Sequence, residues 1–480
     1  MDVLFIHSEE DYYSRERPLV GNGRMQFGIS YISAVLKQAG HNTGLVVPTP
    51  RTIHKVDEYV RNRNPGLICF TSVHAVFDFL YGVAGHIKKR HPEIFLLAGG
   101  THVSLDPDEC LKSAFDAVCI GEGEYPTLEL IEQLESGKSP TGIPNLYIKH
   151  GSSVERNHPR PFIADLDSLP FPDREMWVPW YFNPLSTPSV LTGRGCPFQC
   201  TYCCNHALAR LSEGGYVRVR SPENIVEEIR GIKEVVPGLV DINLEAETLG
   251  CNREWALELC SHLEKMNTEF EVPARFCSNL RVTPNIDYEE LFSALERSNF
   301  FGVNIGLESG SERIRREVLK RNYSNEDMLR AVRTAKEHGL MVGFYNLIGI
   351  PGETKEDFRE TIRLNRQCQP DWWLLSVFYP YPGTRLYETC REMGILDVMP
   401  DRSFERRKPS LELPTFSKRQ IKRRYTWSFL LFHGGHRPPW EIMWRVFMTK
   451  IFSNEKLYRL WRSVSSRVSP SRKYQLEPPP

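Results

Sequence analysis

Three cysteines lie close together near the middle of the chain, at Cys196, Cys200 and Cys203. Their spacing is C-x3-C-x2-C, so one short loop presents three thiolates. Three thiolates can hold three irons of a 4Fe–4S cube and leave the fourth iron open to a small molecule. Zinc is the alternative, because His206 follows closely enough to complete a tetrahedral ligand set. The spacing therefore predicts a metal centre here, with the adjacent Cys204 outside the ligand set.

Two series of alternating strand and helix patterns surround this loop. In the first 150 residues such alternation predicts a doubly wound parallel sheet of the flavodoxin-like kind. From residue 189 a second series predicts a partial (β/α)6 barrel, whose active residues lie at the carboxyl ends of its strands. The predicted strands of the first series are 3–6, 43–47, 66–71, 94–98 and 117–120, and those of the second are 190–194, 241–245, 275–279, 303–308, 341–350 and 374–379.

The fold class expected from these patterns is α/β with a mainly helical C-terminal extension. We expect an α/β domain at 1–150, a Pro- and Asp-rich linker at 151–185, the barrel at 186–393 and a basic, aromatic extension at 394–480 with a disordered tail. The whole chain has a net charge of zero, which gives it no general bias toward nucleic acid or membranes. Residues 401–480, in contrast, contain 18 Lys and Arg against 6 Asp and Glu.

The cysteine loop, with Tyr202 before its third cysteine, resembles the signature of the radical S-adenosylmethionine (SAM) superfamily. Segments 304–310, 347–354 and 379–384 extend the resemblance. Together with segments 99–102 and 121–124 they are similar to the subgroup with an N-terminal cobalamin-binding domain, called class B when its members methylate. The resemblance covers about residues 1–390. It implies a 4Fe–4S cluster held by the three cysteines, SAM bound to the open iron, and cobalamin.

The resemblance also implies which residues bind SAM. Glu245 and Glu247 occupy the loop that faces the methionine amino group in the family, and Glu308 ends the strand that contacts the ribose or methionine. The turn at 348–353 would lie beside the adenine, and a helix cap or surface charge is the alternative role for each glutamate. No side chain is assigned to acid–base catalysis. The candidate SAM contacts are Tyr202, Glu245, Glu247, Glu308, Ser309, Gly349 and Glu353.

Small residues follow three successive strands of the first series, where a large flat ligand can approach the backbone. Ordinary turn chemistry is the alternative explanation. The motif D-x-H-x-x-G, which supplies a histidine lower ligand to cobalt in many cobalamin domains, is absent, so we expect cobalt without that ligand. His74 is a further loop candidate. The predicted cobalamin contacts are Ser72, Gly99, Gly100, Thr101, His102, Gly121, Glu122, Gly123 and Glu124.

The expected function is a cobalamin-dependent radical SAM methyltransferase that methylates an unactivated carbon of a small molecule. The alternative is a cobalamin-dependent cyclase or rearrangement enzyme of the tetrapyrrole type. A methylthiotransferase is disfavoured, because it needs a second cluster and Cys69, Cys110 and Cys119 look like core residues. A non-enzymatic electron carrier or scaffold is also disfavoured, because such a protein does not need an open iron.

The expected partners are a small-molecule substrate and a reductant such as flavodoxin or ferredoxin, without nucleic acid. Twelve cysteines, no spanning segment and no secretion signal indicate reduced thiols and a cytoplasmic location. The basic stretch 418–424 has three interpretations, namely a solvated helix face, an acidic-substrate site or a lipid contact. The lipid contact would use Trp427, Phe429, Phe432, Arg437, Trp440, Trp444, Arg445 and Phe447.

Overall fold

The computed structural model describes residues 1–10, 14, 16–396, 398–402, 405–433, 438–454, 456–458 and 461. Arg437 and the tail at 477–480, both singled out above, lie outside the described residues. The chain forms two compact units, of which the first contains residues 1–198 and 204–245 and the second contains 199–203 and 246–480. Among the described residues, no helix has the length and apolar character needed to cross a membrane.

The first unit contains thirteen strands among its described residues. They are β1 (Asp2–Ile6), β2 (Leu19–Gly21), β3 (Asn42–Val46), β4 (Leu67–Thr71), β5 (Phe95–Gly99), β6 (Ala117–Cys119), β7 (Leu146–His150), β8 (Ser153–Arg156), β9 (Tyr181–Asn183), β10 (Ser189–Leu191), β11 (Gly193–Arg194), β12 (Arg218–Val219) and β13 (Asp241–Glu245). Seven of these form one sheet in the order β3-β1-β4-β5-β6-β7-β8, in which the first five strands are parallel. That parallel order is the flavodoxin-like one, so the predicted doubly wound sheet is confirmed.

Both faces of this sheet are covered, because successive side chains along its strands point to opposite sides. Leu4 and Ile6 pack into one apolar cluster with helices α2 and α3, and Val3 and Phe5 pack into another with α1 and α6. The helices of the unit are α1 (Phe27–Gln38), α2 (His54–Arg63), α3 (Phe77–Arg90), α4 (Thr101–Leu105), α5 (Pro107–Leu111), α6 (Glu124–Glu135), α7 (Asn205–Leu208) and α8 (Pro222–Val235).

Short pairings complete the first unit. Strands β7 and β8 form an antiparallel hairpin, β11 and β12 form an antiparallel ribbon, and β10 pairs in parallel with β13. The expected linker packs against this unit, since the Asp173 carboxylate accepts from Ser33 Oγ at 2.6 Å and pairs with Lys37 Nζ at 2.8 Å. The linker is therefore held by buried polar contacts.

The second unit contains the parallel strands β14 (Arg275–Leu280), β15 (Phe300–Glu308), β16 (Met341–Ile348) and β17 (Trp372–Val377), each paired with the next. With β10 and β13 of the first unit, these strands lie where the sequence predicted the six strands of the second series. The helices of the unit are α9 (Arg253–Asn267), α10 (Glu289–Arg297), α11 (Asn325–Glu337), α12 (Lys355–Cys368), α13 (Arg385–Glu392), α14 (Lys418–Thr426), α15 (Ser428–His433) and α16 (Pro439–Phe452). The last three form the helical extension that was predicted.

Candidate functional site

The centre of the cysteine loop is fixed by the backbone of the second unit. Thr201 donates through its amide to the Leu319 carbonyl at 3.3 Å and through its hydroxyl to the Val318 carbonyl at 2.6 Å. Its own carbonyl accepts from the Leu386 amide at 2.9 Å, and Cys203 donates its amide to the Cys200 carbonyl at 3.1 Å. The second and third cysteines are therefore held in place by neighbouring backbone.

Two arginines surround the second cysteine. Arg281 Nη1 lies 2.7 Å from Cys200 Sγ, and Arg321 Nη1 lies 3.9 Å from it. Cys200 is buried, whereas Cys196 and Cys203 are partly exposed. Cationic donors stabilise negative charge on sulfur, which is the form in which cysteine binds iron. The residues present therefore fit a cluster held by thiolates.

Arg321 is the centre of a buried polar group at the end of β15. Its guanidinium donates to the Gly306 carbonyl at 2.6 Å and to the Tyr202 hydroxyl at 3.0 Å, and it lies 3.6 Å from Glu308 Oε1. Burial raises the pKa of Glu308, and Arg321 opposes that rise. Burial and the neighbouring Glu308 raise the pKa of Tyr202 well above its ordinary value. Two predicted SAM contacts, Tyr202 and Glu308, are thus brought together.

The conformation of Glu308 is unusual for the last residue of a strand. Its φ is +62°, and the pairing of β15 with β16 shifts register between Gly306 and Glu308. A non-glycine residue in the left-handed region carries backbone strain, which persists only where surrounding contacts hold it. The next residue, Ser309, is fully buried, and its carbonyl accepts a hydrogen bond from Arg315 Nη1 at 2.6 Å.

The turn after β16 is closed by a buried carboxyl group. Glu353 Oε2 accepts from the Gly349 amide at 2.6 Å and from the Ile350 amide at 3.3 Å, whereas Oε1 has no hydrogen-bond partner. Gly349 has a φ of +83°, which suits glycine. Burial raises the pKa of Glu353 to about 8. This predicted SAM contact therefore points into its own turn.

The remaining two predicted SAM contacts belong to different units. Glu245 ends β13 in the first unit and is half-buried, with its Oε2 accepting from Asn243 Nδ2 at 2.6 Å. Glu247 belongs to the second unit and is exposed. Glu245 is thus the last residue of β13, and Glu247 lies two residues beyond the strand.

The loops after β4 and β5 meet at the carboxyl edge of the first sheet. Ser72 donates its amide to the Gly99 carbonyl at 3.0 Å and accepts from the His102 amide at 3.3 Å. Gly100 has a φ of +102°, and a Cβ there would lie 2.7 Å from the Ser72 carbonyl oxygen. Thr101 begins α4. Glycine at position 100 therefore allows the loops after β4 and β5 to pack backbone against backbone at the edge where doubly wound sheets bind ligands.

The histidines near this edge are buried. His74 Nδ1 and His102 Nδ1 lie 3.3 Å apart, and the Phe77 ring packs 4.5 Å from that of His102. Both rings are about 5 % exposed or less. In this arrangement the two imidazoles contact each other inside the domain. The sequence contains no D-x-H-x-x-G motif that would supply another histidine as the lower ligand of cobalt.

The carboxylates of the third cobalamin loop pair with arginines. Glu122 accepts from Arg194 at 2.8 Å and from Arg218 at 2.9 Å, and Glu124 accepts from Arg194 at 2.5 Å. Burial alone would raise the pKa of Glu122, but Arg194 and Arg218 hold it below its ordinary value. Apart from these paired carboxylates the loop contains only glycines, namely Gly121, with a φ of +79°, and Gly123.

Sequence reasoning missed several residues at these edges. Arg281 and Arg321 lie 81 and 121 residues from Cys200, and an isolated arginine has no local pattern. His7 follows β1, and β1 and β4 flank the point where the strand order reverses, at which doubly wound sheets bind ligands. His7 could have been found from the sequence, because polar residues directly follow the first predicted strand there.

Two family models match the chain. The B12 binding domain matches residues 24–131, and the radical SAM superfamily matches residues 190–364. The first match covers the sheet whose carboxyl edge carries the small residues, and the second covers the cysteine loop and strands β10–β16.

Curated relatives match most of the chain. An uncharacterized methyltransferase of Pyrococcus horikoshii is 26% identical over 421 residues, covering 86% of this chain and 89% of the relative. An anaerobic magnesium-protoporphyrin IX monomethyl ester cyclase of Rubrivivax gelatinosus is 25% identical, covering 81% of this chain and 70% of the relative.

A solved structure supports the fold. The radical SAM methyltransferase TsrM of Kitasatospora setae, bound to tryptophan and a SAM analogue, has a TM-score of 0.66 at 18% identity, covering 83% of this chain and 77% of TsrM. The predictions of a radical SAM enzyme and of its three cofactors are confirmed, and a B12-binding domain precedes the radical SAM domain. The chain therefore contains a B12-binding domain and a radical SAM domain, uses a 4Fe–4S cluster, SAM and cobalamin, and is similar to cobalamin-dependent radical SAM methyltransferases.

Proposed function

We propose that the protein methylates an unactivated carbon of a small-molecule substrate. The observation that supports the proposal is that a B12-binding domain at 24–131 and the C-x3-C-x2-C loop occur in one chain, since the two together supply a methyl carrier and a radical source. Cys196, Cys200 and Cys203 would hold three irons. When bound, the cluster with SAM supplies a carbon radical and cobalamin supplies the methyl group. Tyr202, Arg321 and Glu308 would bind the SAM beside the open iron.

A cyclase is the second candidate, because the relative from Rubrivivax gelatinosus bears that name. Its similarity to this chain is nearly that of the methyltransferase relative, so overall identity does not separate the two activities. The products do separate them. A methyl transfer consumes SAM as a methyl donor as well as a radical source, whereas a cyclisation uses SAM only as a radical source.

Product analysis tests the proposal. The protein is reconstituted without oxygen with iron, sulfide and cobalamin, then reduced and given SAM and candidate substrates. We expect S-adenosylhomocysteine and 5′-deoxyadenosine together with a substrate heavier by one methylene, measured by mass spectrometry. Deoxyadenosine with a cyclised product would instead support the second candidate, and the absence of both nucleosides would refute both.

We also propose a one-electron donor of the flavodoxin or ferredoxin class as the reducing partner. A cluster that cleaves SAM must be reduced before each cleavage, and the chain contains no further cysteine-rich motif that would carry a second cluster. Cys69, Cys110 and Cys119 support this, because all three are buried in the apolar clusters of the first sheet.

A second partner is proposed at the C-terminal extension, namely an anionic lipid surface. On α16 the side chains of Trp440, Met443, Trp444 and Phe447 are between 45 and 74 % exposed. Their spacing of i, i+3, i+4 and i+7 places them on one helical face. Tryptophan favours the interface between water and lipid, and the surrounding excess of Lys and Arg complements anionic headgroups. The opposite face of α16 packs inward through residues such as Ile442.

Co-sedimentation with vesicles tests this surface. We expect the protein to bind phosphatidylcholine vesicles that contain phosphatidylserine, and to bind less as salt is raised, since ionic screening weakens the attraction. The double replacement Trp444→Ser and Phe447→Ser should reduce binding several-fold. Leu185→Ser, which removes an exposed leucine of the first unit, is the matched control. Unchanged binding by the double variant, or self-association without vesicles, would contradict the proposal.

A further inference from the structure

A buried group of four charged residues joins the loop after β6 to the strand that leads into the cysteine loop. Arg194 of β11 donates to both Glu122 and Glu124, and Arg218 donates to Glu122. In the β11–β12 ribbon Arg194 lies opposite Arg218. Glu122 and Glu124 belong to a proposed cobalamin loop, and Arg194 lies two residues before Cys196. We call these four residues the arginine–glutamate bridge.

The bridge is a fixed part of the first unit. Its side chains are between 3 and 17 % exposed, and its two positive and two negative charges balance. The Tyr31 ring lies 5.2 Å from the Arg194 guanidinium, and the Phe162 ring lies 5.0 Å from that of Arg218. Removing one partner of a buried pair leaves the other charge without compensation, so the pairing strongly disfavours rearrangement.

The backbone between the bridge and the first cysteine is closely packed. Gly195 has a φ of +85°, and a Cβ there would lie 2.1 Å from the Tyr216 carbonyl oxygen. A Cβ at Gly193 would lie 2.5 Å from the Arg218 carbonyl oxygen. Strand β11 is therefore packed backbone to backbone against its neighbour, and a displacement of Arg194 must displace Cys196 as well.

On the other side the bridge reaches the loop after β5. The Gly121 amide donates to Ser104 Oγ at 3.0 Å, and Ser104 belongs to α4, which follows Gly99 and Gly100. A continuous series of contacts within the first unit thus runs from two of the proposed cobalamin loops to the first cluster cysteine.

We propose that Arg194 is a positioning residue that couples the two cofactor sites. Because the bridge moves as one piece, a ligand that displaces the loops after β5 and β6 also displaces Arg194 and, with it, Cys196. Assembly of the cluster on Cys196 brings the same piece to the position that it has with both cofactors bound, so it raises the affinity for cobalamin. Coupling between two sites is reciprocal. The inference rests on the proposed function, because it needs both cofactors at the proposed residues.

Titration of hydroxocobalamin, followed by absorbance, measures this coupling in cluster-free and cluster-loaded protein. We expect the loaded wild-type protein to bind cobalamin more tightly by about fivefold or more, which is the usual size of such coupling. Arg194→Gln should still assemble the cluster and bind cobalamin, but with one affinity in both states. Cobalamin should also change the electron paramagnetic resonance spectrum of the reduced wild-type cluster and leave that of the variant unchanged.

Matched variants separate coupling from general damage. Lys88→Gln removes an ion pair to Asp116, with Nζ and Oδ2 2.7 Å apart, at the amino end of β6, and it should keep the wild-type affinity ratio. Glu124→Gln, which keeps the hydrogen bond and removes the charge, should reduce the ratio as Arg194→Gln does. A wild-type ratio of one, or a ratio unchanged in Arg194→Gln, would overturn the inference. Wild-type protein that binds neither cofactor would instead refute the proposed function.

Discussion

Replacing Cys200 by alanine abolishes the cluster and the cleavage of SAM. The variant removes one of only three thiolates in the proposed ligand set, and it leaves Arg281 without the sulfur it contacts at 2.7 Å. After reconstitution we expect the variant to lack the visible absorbance of a 4Fe–4S cluster, and 5′-deoxyadenosine to fall below detection. Iron and sulfide analysis of the same samples measures the loss independently of activity.

The adjacent pair of cysteines provides the control for this prediction. Cys204→Ala removes a partly exposed thiol one residue beyond the C-x3-C-x2-C set. It should retain iron content and nucleoside formation within about twofold of the wild type. Full cluster content in Cys200→Ala, or complete loss in Cys204→Ala, would show that the ligand set has been assigned wrongly.

Replacing Glu353 by glutamine removes a loss of folding stability that the wild-type protein undergoes as the pH rises. The pKa of this carboxyl is raised to about 8 in the folded state by burial, against an ordinary value of 4.5. Between these values the folded chain keeps a proton that the unfolded chain releases, so the free energy of unfolding falls as pH rises from about 4.5 to 8. The neutral amide oxygen can still accept from the Gly349 and Ile350 amides.

We therefore expect Glu353→Gln to match the wild type near pH 5 and to exceed it near pH 8.5. The shift of the carboxyl pKa corresponds to an upper bound of roughly 5 kcal/mol, at 1.36 kcal/mol per unit. Denaturant unfolding across this pH range measures the difference. Glu356→Gln, at an exposed carboxylate three residues further along the chain in α12, should leave the pH profile unchanged. Parallel profiles for wild type and Glu353→Gln would show that the buried group is already ionised.

The main elements could be predicted from the sequence because their burial leaves a regular pattern. Parallel strands covered on both faces appear as short apolar runs, and all five strands of the first predicted sheet lie within two residues of the expected bounds. Helix α12 has a start signal that is visible in the sequence, since Thr354 and Asp357 form a capping box there. The predicted strand at 341–350 ends earlier, at Ile348, because the backbone turns at Gly349.

The short polar pairings could not be predicted in the same way. Strands β11 and β12 have two residues each, and tertiary contacts rather than hydrophobic periodicity fix them. The three candidate cluster cysteines could be proposed from the sequence because thiols at this fixed spacing form a local signal. Arg194, Arg281 and Arg321 were missed because each acts through a partner that is distant in sequence, and a single arginine does not reveal that partner.

The lack of space at Gly195 has a consequence for protein engineering. The nine residues from 195 to 203 look like a portable peptide that could be transplanted into another scaffold to create an iron–sulfur centre. Since the Tyr216 carbonyl occupies the place of a side chain at Gly195, the segment that leads into β12 has to accompany the transplanted peptide to reproduce this close approach. A transferable module therefore includes both arms of the ribbon, residues 193–219, and the new scaffold must replace the backbone groups of Val318, Leu319 and Leu386 that hold Thr201.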